Sequence, residues 1–204
     1  FFYANSAPWL SSRYYDDAVS ELQRKFMGTL WNTYAFYILY ANIDKFDPTQ
    51  YTLDYDKLAP MDKWILSKLE TLSKFVDESL AGYKLTEPSR AMAEFMDDLS
   101  NWYVRRSRER FWAAGMEQDK VNAYMTLYTV LETVVKLAAP FTPFISEEIY
   151  GNLVRSVDAS APESVHLRDW PAYREEWVDA DLEATMDLVL KVVVAGRSAR
   201  NPSG

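Results

Sequence analysis

Apolar residues return at steps of three and four along most of the chain. Between residues 15 and 42 the stripe is Val19, Leu22, Phe26, Leu30, Thr33, Tyr37 and Tyr40. That spacing keeps side chains on one side of an α-helix. Pro48 and the polar stretch from Asp54 to Asp56 close this unit. A second helix is predicted from Pro60, since a first helical turn has no use for the N–H that proline lacks. Its stripe is Ile65, Leu69, Leu72, Val76 and Leu80, and Gly82 follows as a stop. A third helix is predicted over 86–113, with Thr86 as N-cap, Pro88 in its first turn and Gly115 beyond its end. At 100° per residue, its Met92, Phe95, Leu99 and Trp102 fall within about 80° of one another.

The fourth helix, over 119–139, turns Val121, Tyr124, Met125, Tyr128, Leu131, Val135 and Ala138 inward, and Pro140 ends it. Thr142 and Pro143 cap and start a short fifth helix that runs through Leu153. Residues 155–174 lack a helical period, apart from a short extended stretch over 164–167, and read as an ordered connection. A last helix is predicted over 179–195 with Gly196 as its stop. The expected organisation is therefore an entry segment (1–14), a bundle (15–154), an ordered connection (155–178) and an outgoing helix (179–204). Amphipathic helices joined by short turns bury their stripes in an antiparallel helix bundle, so the fold class is all-α.

Composition adds exclusions. The 204 residues include no Cys, which removes disulfide scaffolds, thiolate zinc sites and cysteine nucleophiles together. Six Gly against 10 Phe, 7 Trp and 14 Tyr fit neither a disordered chain nor a turn-dense β protein. The net charge of −8 excludes a general basic coat for nucleic acid but leaves room for a local patch. No window has the 18 or so consecutive apolar residues of a membrane span. The N-terminus lacks a signal-peptide pattern and an initiator Met, so the chain is expected to be a piece of a longer cytoplasmic protein; a monomer is expected.

A catalytic constellation is missing. His166 is the sole histidine, which leaves no histidine pair for a metal and reads as a locally bonded residue of the connection. The glycines stand far apart up to Gly196, which removes the dinucleotide and P-loop fingerprints. Asp97-Asp98, Glu147-Glu148 and Glu175-Glu176 are adjacent pairs, about 100° apart on a helix, and cannot share one substrate atom. No catalytic residue, metal set or cofactor site is expected.

One segment breaks the acidic background: S100-N-W-Y-V-R-R-S-R-E-R-F-W112, with four Arg and one Glu over 105–110. Trp102, Tyr103, Phe111 and Trp112 bracket these arginines. Guanidinium forks suit phosphate oxygens and aromatic faces suit unpaired bases. On an uninterrupted helix Arg106 and Arg110 continue the core stripe, where buried acids would pair with them. Arg105 and Arg108 point away, free for phosphates. The alternative is that all four serve only the bundle and its solvation. A second, C-terminal basic feature contains Lys191, Arg197 and Arg200, which equally suit a solvated helix end. The candidate RNA-binding set is thus Arg105, Arg108, Trp102, Tyr103, Trp112, Arg197 and Arg200. The candidate structural ion pairs are those of Arg106 and Arg110.

The arginine segment, read as SNWYVRRSRERFW, resembles the corresponding helix of isoleucyl-tRNA synthetases of the eukaryote-like type. LWNTYAFYILYANID followed by MDKWILSKLETL resembles the start of the anticodon-binding helical domain in class I synthetases for Ile, Val and Leu. LAAPFTPFISEEIY resembles the segment closing that bundle, ESVHLRDWP the stretch after it, and LVLKVVVAGRSARN the helix leading into the C-terminal region. FFYANSAPWLSSRYYDD resembles the exit from the catalytic domain. The resemblance implies a bundle of the class I anticodon-binding type that binds the anticodon stem and loop of tRNA(Ile). Its partners would be that tRNA and the rest of the parent chain, with ATP and Mg bound in a catalytic domain outside these residues. The HIGH and KMSKS motifs have no counterpart here, so the piece alone would be inactive. The related valyl or leucyl domain, and a purely structural or protein-interaction bundle, remain the alternatives.

Overall fold

The structure, a computed structural model, describes residues 1–6 and 15–200. Among the described residues the regular structure is helical and there is no strand. The α-helices are α1 (Phe2–Asn5), α2 (Asp16–Leu22), α3 (Thr29–Asp44), α4 (Pro60–Ala81), α5 (Thr86–Asp98), α6 (Arg105–Trp112), α7 (Gln118–Ala138), α8 (Pro143–Tyr150) and α9 (Ala180–Arg200). Three wider π-helical turns, Gln23–Gly28, Leu99–Val104 and Gly151–Arg155, join α2 to α3, join α5 to α6 and extend α8. Most of the entry segment expected over 1–14 lies outside the described residues.

The bundle forms around α4 and α7. In α4 the predicted positions Ile65, Leu69, Leu72 and Val76 are buried, and Trp64 and Leu66 widen the stripe. Helix α7 lies among α3, α4, α6 and α8, so its residues 120–127 are all buried. At its centre the Tyr124 ring stacks on Phe46 at 4.4 Å and meets Phe111 edge-on at 4.9 Å. Such offset and edge-on pairs add about 0.5–1.5 kcal/mol each beyond the area they bury.

Several local expectations are corrected. Thr86 is the first residue of α5 rather than its cap, and its hydroxyl donates to the carbonyl of Ser6. Thr142 does occupy the N-cap position of α8, but its hydroxyl donates back to the Ala138 carbonyl. The stretch expected to be extended over 164–167 contains the 3₁₀ turn Val165–Leu167, because the Ser164 hydroxyl accepts the His166 N–H at 3.1 Å. Helix α9 does not stop at Gly196 but continues to Arg200. A helix-interior glycine costs about 1 kcal/mol and does not by itself end a helix. Gly115 fills its expected role, turning the chain at φ +78° after α6.

The π turn at Leu99–Val104 sets the faces of everything after it. The buried residues are Leu99, Tyr103, Val104, Ser107 and Phe111, and all but Val104 stand in steps of four. On an α-helix each such step drifts by about 40°, so three would leave Phe111 about 120° away from Leu99. A π turn accommodates one extra residue and removes most of that drift. The core stripe predicted through Trp102 and Arg106 therefore passes through Tyr103 and Ser107 instead.

Carboxylates fasten the connection and α9 to the bundle: Glu147 of α8 accepts from the Ser164 hydroxyl and the Val165 N–H, and Glu132 of α7 pairs with Arg168. Glu70 of α4 accepts the Arg174 N–H at 2.8 Å. Glu183 of α9 accepts from the hydroxyls of Ser67 and Thr71 on α4. Leu182, Met186 and Leu190 pack against the core, yet no residue of α9 is fully buried.

Candidate nucleic-acid interface

The structure brings the two basic features together. Trp102 stands on the π turn, half-buried. The Arg106 guanidinium lies over its ring at 5.8 Å from the centroid, and that of Arg197 lies at 5.6 Å. Residues 95 positions apart in sequence thus share one indole because α9 reaches back to the α5–α6 junction. Each such contact contributes about 0.5–1 kcal/mol where it is solvent-exposed.

Around this centre Arg105 and Arg108 are exposed on α6, and among the described residues neither has an acidic partner. Arg200 is exposed on the last turn of α9, one turn beyond Arg197. Trp112, 56% exposed, closes α6 at the far end of the arginine run. The acids preceding Trp102 are engaged by partners of their own. Asp98 binds Lys68 at 2.5 Å, and Asp97 accepts from Asn101 at 2.6 Å.

Two sequence assignments change. Arg106 was expected in the core stripe with a buried acid; it is exposed and lies on Trp102 instead. The extra residue of the π turn rotates it off the stripe by about 100°. Tyr103 was a candidate base-stacking residue, but its side chain is fully buried and its hydroxyl donates to Asp62 Oδ1 at 2.7 Å. It supports the interface from beneath.

Arg110 has the buried acidic partner expected of it, though it reaches that partner from the edge of the stripe. Its Nη1 and Nη2 donate to the two oxygens of Asp62 at 2.7 and 2.8 Å, and its Nε donates to Asp119 at 2.9 Å. Asp62 has no exposed surface and also accepts the Ala59 N–H at 3.2 Å, which holds the first turn of α4. Burial, followed by the charge of Asp62, pushes the Tyr103 hydroxyl well above its ordinary pKa. Burial opposes the Arg110 charge, but the hydrogen bond to Asp62, together with Tyr103, the Asp62 charge and Asp119, holds the guanidinium above its usual value. A forked, charge-assisted pair of this kind is the strongest sort of protein hydrogen bond. It fixes α6, and with it the outward angle of Arg105, Arg106 and Arg108.

Sequence reasoning missed the partners of this frame. Asp62 was passed over because a lone acid early in a helix reads as a dipole or capping residue, which it also is. Lys120 was missed as well: it is buried, donates to the Ala113 carbonyl at 2.9 Å and pairs with Asp44 at 2.6 Å. That contact ties the turn after α6 to the end of α3. Among the described residues no cluster of His, Asp and Glu could hold a metal ion, and no helix is long and apolar enough to cross a membrane.

Comparison with known proteins identifies the family. The family model for the anticodon-binding domain of tRNA ligase matches residues 62–204. The chain is 57% identical over 200 residues to an isoleucine–tRNA ligase of Clostridium novyi (strain NT), covering 98% of this chain and 19% of that protein. It is 54% identical over 200 residues to the isoleucine–tRNA ligase of Clostridium tetani (strain Massachusetts / E88), with the same coverage of 98% and 19%. It is 48% identical over 198 residues to isoleucine–tRNA ligase 2 of Bacillus cereus (strain ATCC 14579), covering 97% of this chain and 18% of that one. The chain spans about a fifth of the length of these curated relatives.

Proposed function

Because this chain belongs to the anticodon-binding domain family of tRNA ligases, we propose that it is the part of an isoleucine–tRNA ligase that holds the anticodon arm of tRNA(Ile). Chemistry would occur elsewhere in the parent chain, where ATP and Mg would bind, and the 204 residues alone would neither activate isoleucine nor charge tRNA. The observation that carries this reading is the convergence of Arg106 and Arg197 on Trp102, with Arg105 and Arg108 unpaired beside them. It gives an acidic chain a basic, aromatic face built from α6, α9 and the turn before α6. The isoleucine specificity rests on the names of the relatives, which favour it over the valyl and leucyl alternatives. The parent would act in the cytoplasm, as a monomer.

The test is filter binding of transcribed tRNA(Ile) to the 204-residue chain across a salt series. Phosphate contacts release counterions, so affinity falls with salt, and each contact contributes roughly 0.7–0.9 to the logarithmic slope. Arg105→Ala and Arg108→Ala should each flatten the slope by about one contact and leave the melting temperature nearly unchanged, since exposed substitutions stay within about 0.5 kcal/mol. Salt-independent or absent binding would leave the purely structural bundle standing.

A further inference from the structure

The Trp102 ring is held by cations from two helices, and its occupants are long, solvent-facing side chains. Arg106 comes from α6, four residues along the chain, while Arg197 comes from α9. A tryptophan presented this way suits a second use. An unpaired nucleobase stacks on an indole much as a guanidinium does, and it arrives with a phosphate that attracts the displaced guanidinium. The π turn takes the ring off the core stripe and leaves Tyr103 to fill the interior, so Trp102 rests half-buried on the core with the Arg197 guanidinium over its ring. Of the acids preceding the ring, Asp98 is neutralised by Lys68, while Asp97 is held in place by the neutral Asn101 amide.

We propose that Trp102 is a stacking platform for one unpaired base of an RNA loop, and that Arg197 covers it in the free protein and moves to that nucleotide's phosphate on binding. The ligand class is a single-stranded loop nucleotide rather than duplex, because a paired base offers no free face to an indole. This rests on the RNA-binding reading above and adds to it a named contact and an exchange of partners.

The experiment uses the 204-residue chain and an anticodon stem-loop hairpin carrying 2-aminopurine at each loop position in turn. Stacking on an indole quenches that base, so at one position binding should lower its emission, and Trp102→Leu should abolish the drop. Trp102→Leu should also weaken binding of the unlabelled hairpin by roughly 5- to 150-fold, the range for one base–aromatic stack, with Trp102→Phe retaining most of the affinity. Arg197→Ala should alter the near-ultraviolet dichroism of the free protein and lower the salt slope by about one contact. If the wild-type chain binds the hairpin with a steep salt dependence but quenches no loop position, the platform is overturned and the RNA-binding reading survives. The wild-type quenching scan decides this even if Trp102→Leu is unstable. If no hairpin binds at any salt concentration, both fail.

Discussion

Replacing Arg110 with alanine isolates the frame beneath the interface. Asp62 is wholly buried, and after the substitution it keeps only the Tyr103 hydroxyl and the Ala59 N–H as partners. Removing one member of a buried ion pair costs about 3–5 kcal/mol because the remaining charge is uncompensated. Arg110 is itself 16% exposed at the side chain, and water entering the vacated space would solvate Asp62 in part, so the lower end, about 3 kcal/mol, is expected. For a protein of this size each kcal/mol lowers the melting temperature by roughly 2–4 °C, giving a fall of about 6–12 °C. The exposed Arg106→Ala serves as control, within about 1 kcal/mol of wild type since it loses only its contact with Trp102. Adding Asp62→Asn to Arg110→Ala removes the orphaned charge and should restore part of the loss, a coupling read from the double-mutant cycle. Melts followed by circular dichroism supply the numbers. A shift for Arg110→Ala no larger than that for Arg106→Ala would refute the buried-pair reasoning.

Two further outcomes follow from other contacts. Burial raises the Glu70 carboxyl above its ordinary 4.5 despite the hydrogen bond and charge of Arg174. The folded state therefore binds the proton more tightly, and acidification from neutral pH toward that ordinary value adds stability through this group, which is lost again as pH rises through the folded pKa. Glu70→Gln should be at least as stable as wild type at neutral pH and should lack that gain in melts run under mildly acidic conditions. Gly196 lies inside α9 with nothing within 4 Å of an added Cβ, so Gly196→Ala should stabilise the helix by about 0.5–1 kcal/mol. Amide exchange along the last turns of α9 should slow by about two- to fivefold; unchanged exchange would mean that the helix is not continuous there.

Helix positions were legible because the core stripes repeat at helical spacing: Ile65, Leu69, Leu72 and Val76 are buried as predicted. The alternation of Pro60, Gly82, Pro143 and Gly115 marked most ends for steric reasons that act within a few residues. Rotational phase was the part that failed. A π turn has no residue signature, so the α wheel placed Trp102 and Arg106 inward where the chain places Tyr103 and Ser107. Arg110 was read correctly, since its long side chain reaches Asp62 from the edge of the stripe. The meeting of Arg197 with Trp102 was not legible because it depends on how α9 crosses the bundle, and Glu183, Ser67 and Thr71 fix that crossing through non-local contacts.

The wide turn at Leu99–Val104 also bears on how this bundle tolerates changes of length. A single residue gained within a helix ordinarily turns every later side chain by about 100° and would dismantle a core. Here the surplus is confined to one turn, and Tyr103, Ser107 and Phe111 still face inward after it. Losing one residue among 100–102 would let the helix close to ordinary α geometry with those same three side chains inward and Arg110 still opposite Asp62. The turn is thus a place where loss of one residue acts on the displayed surface, so the aromatic at the interface can be removed or moved while Tyr103, Ser107 and Phe111 stay inward.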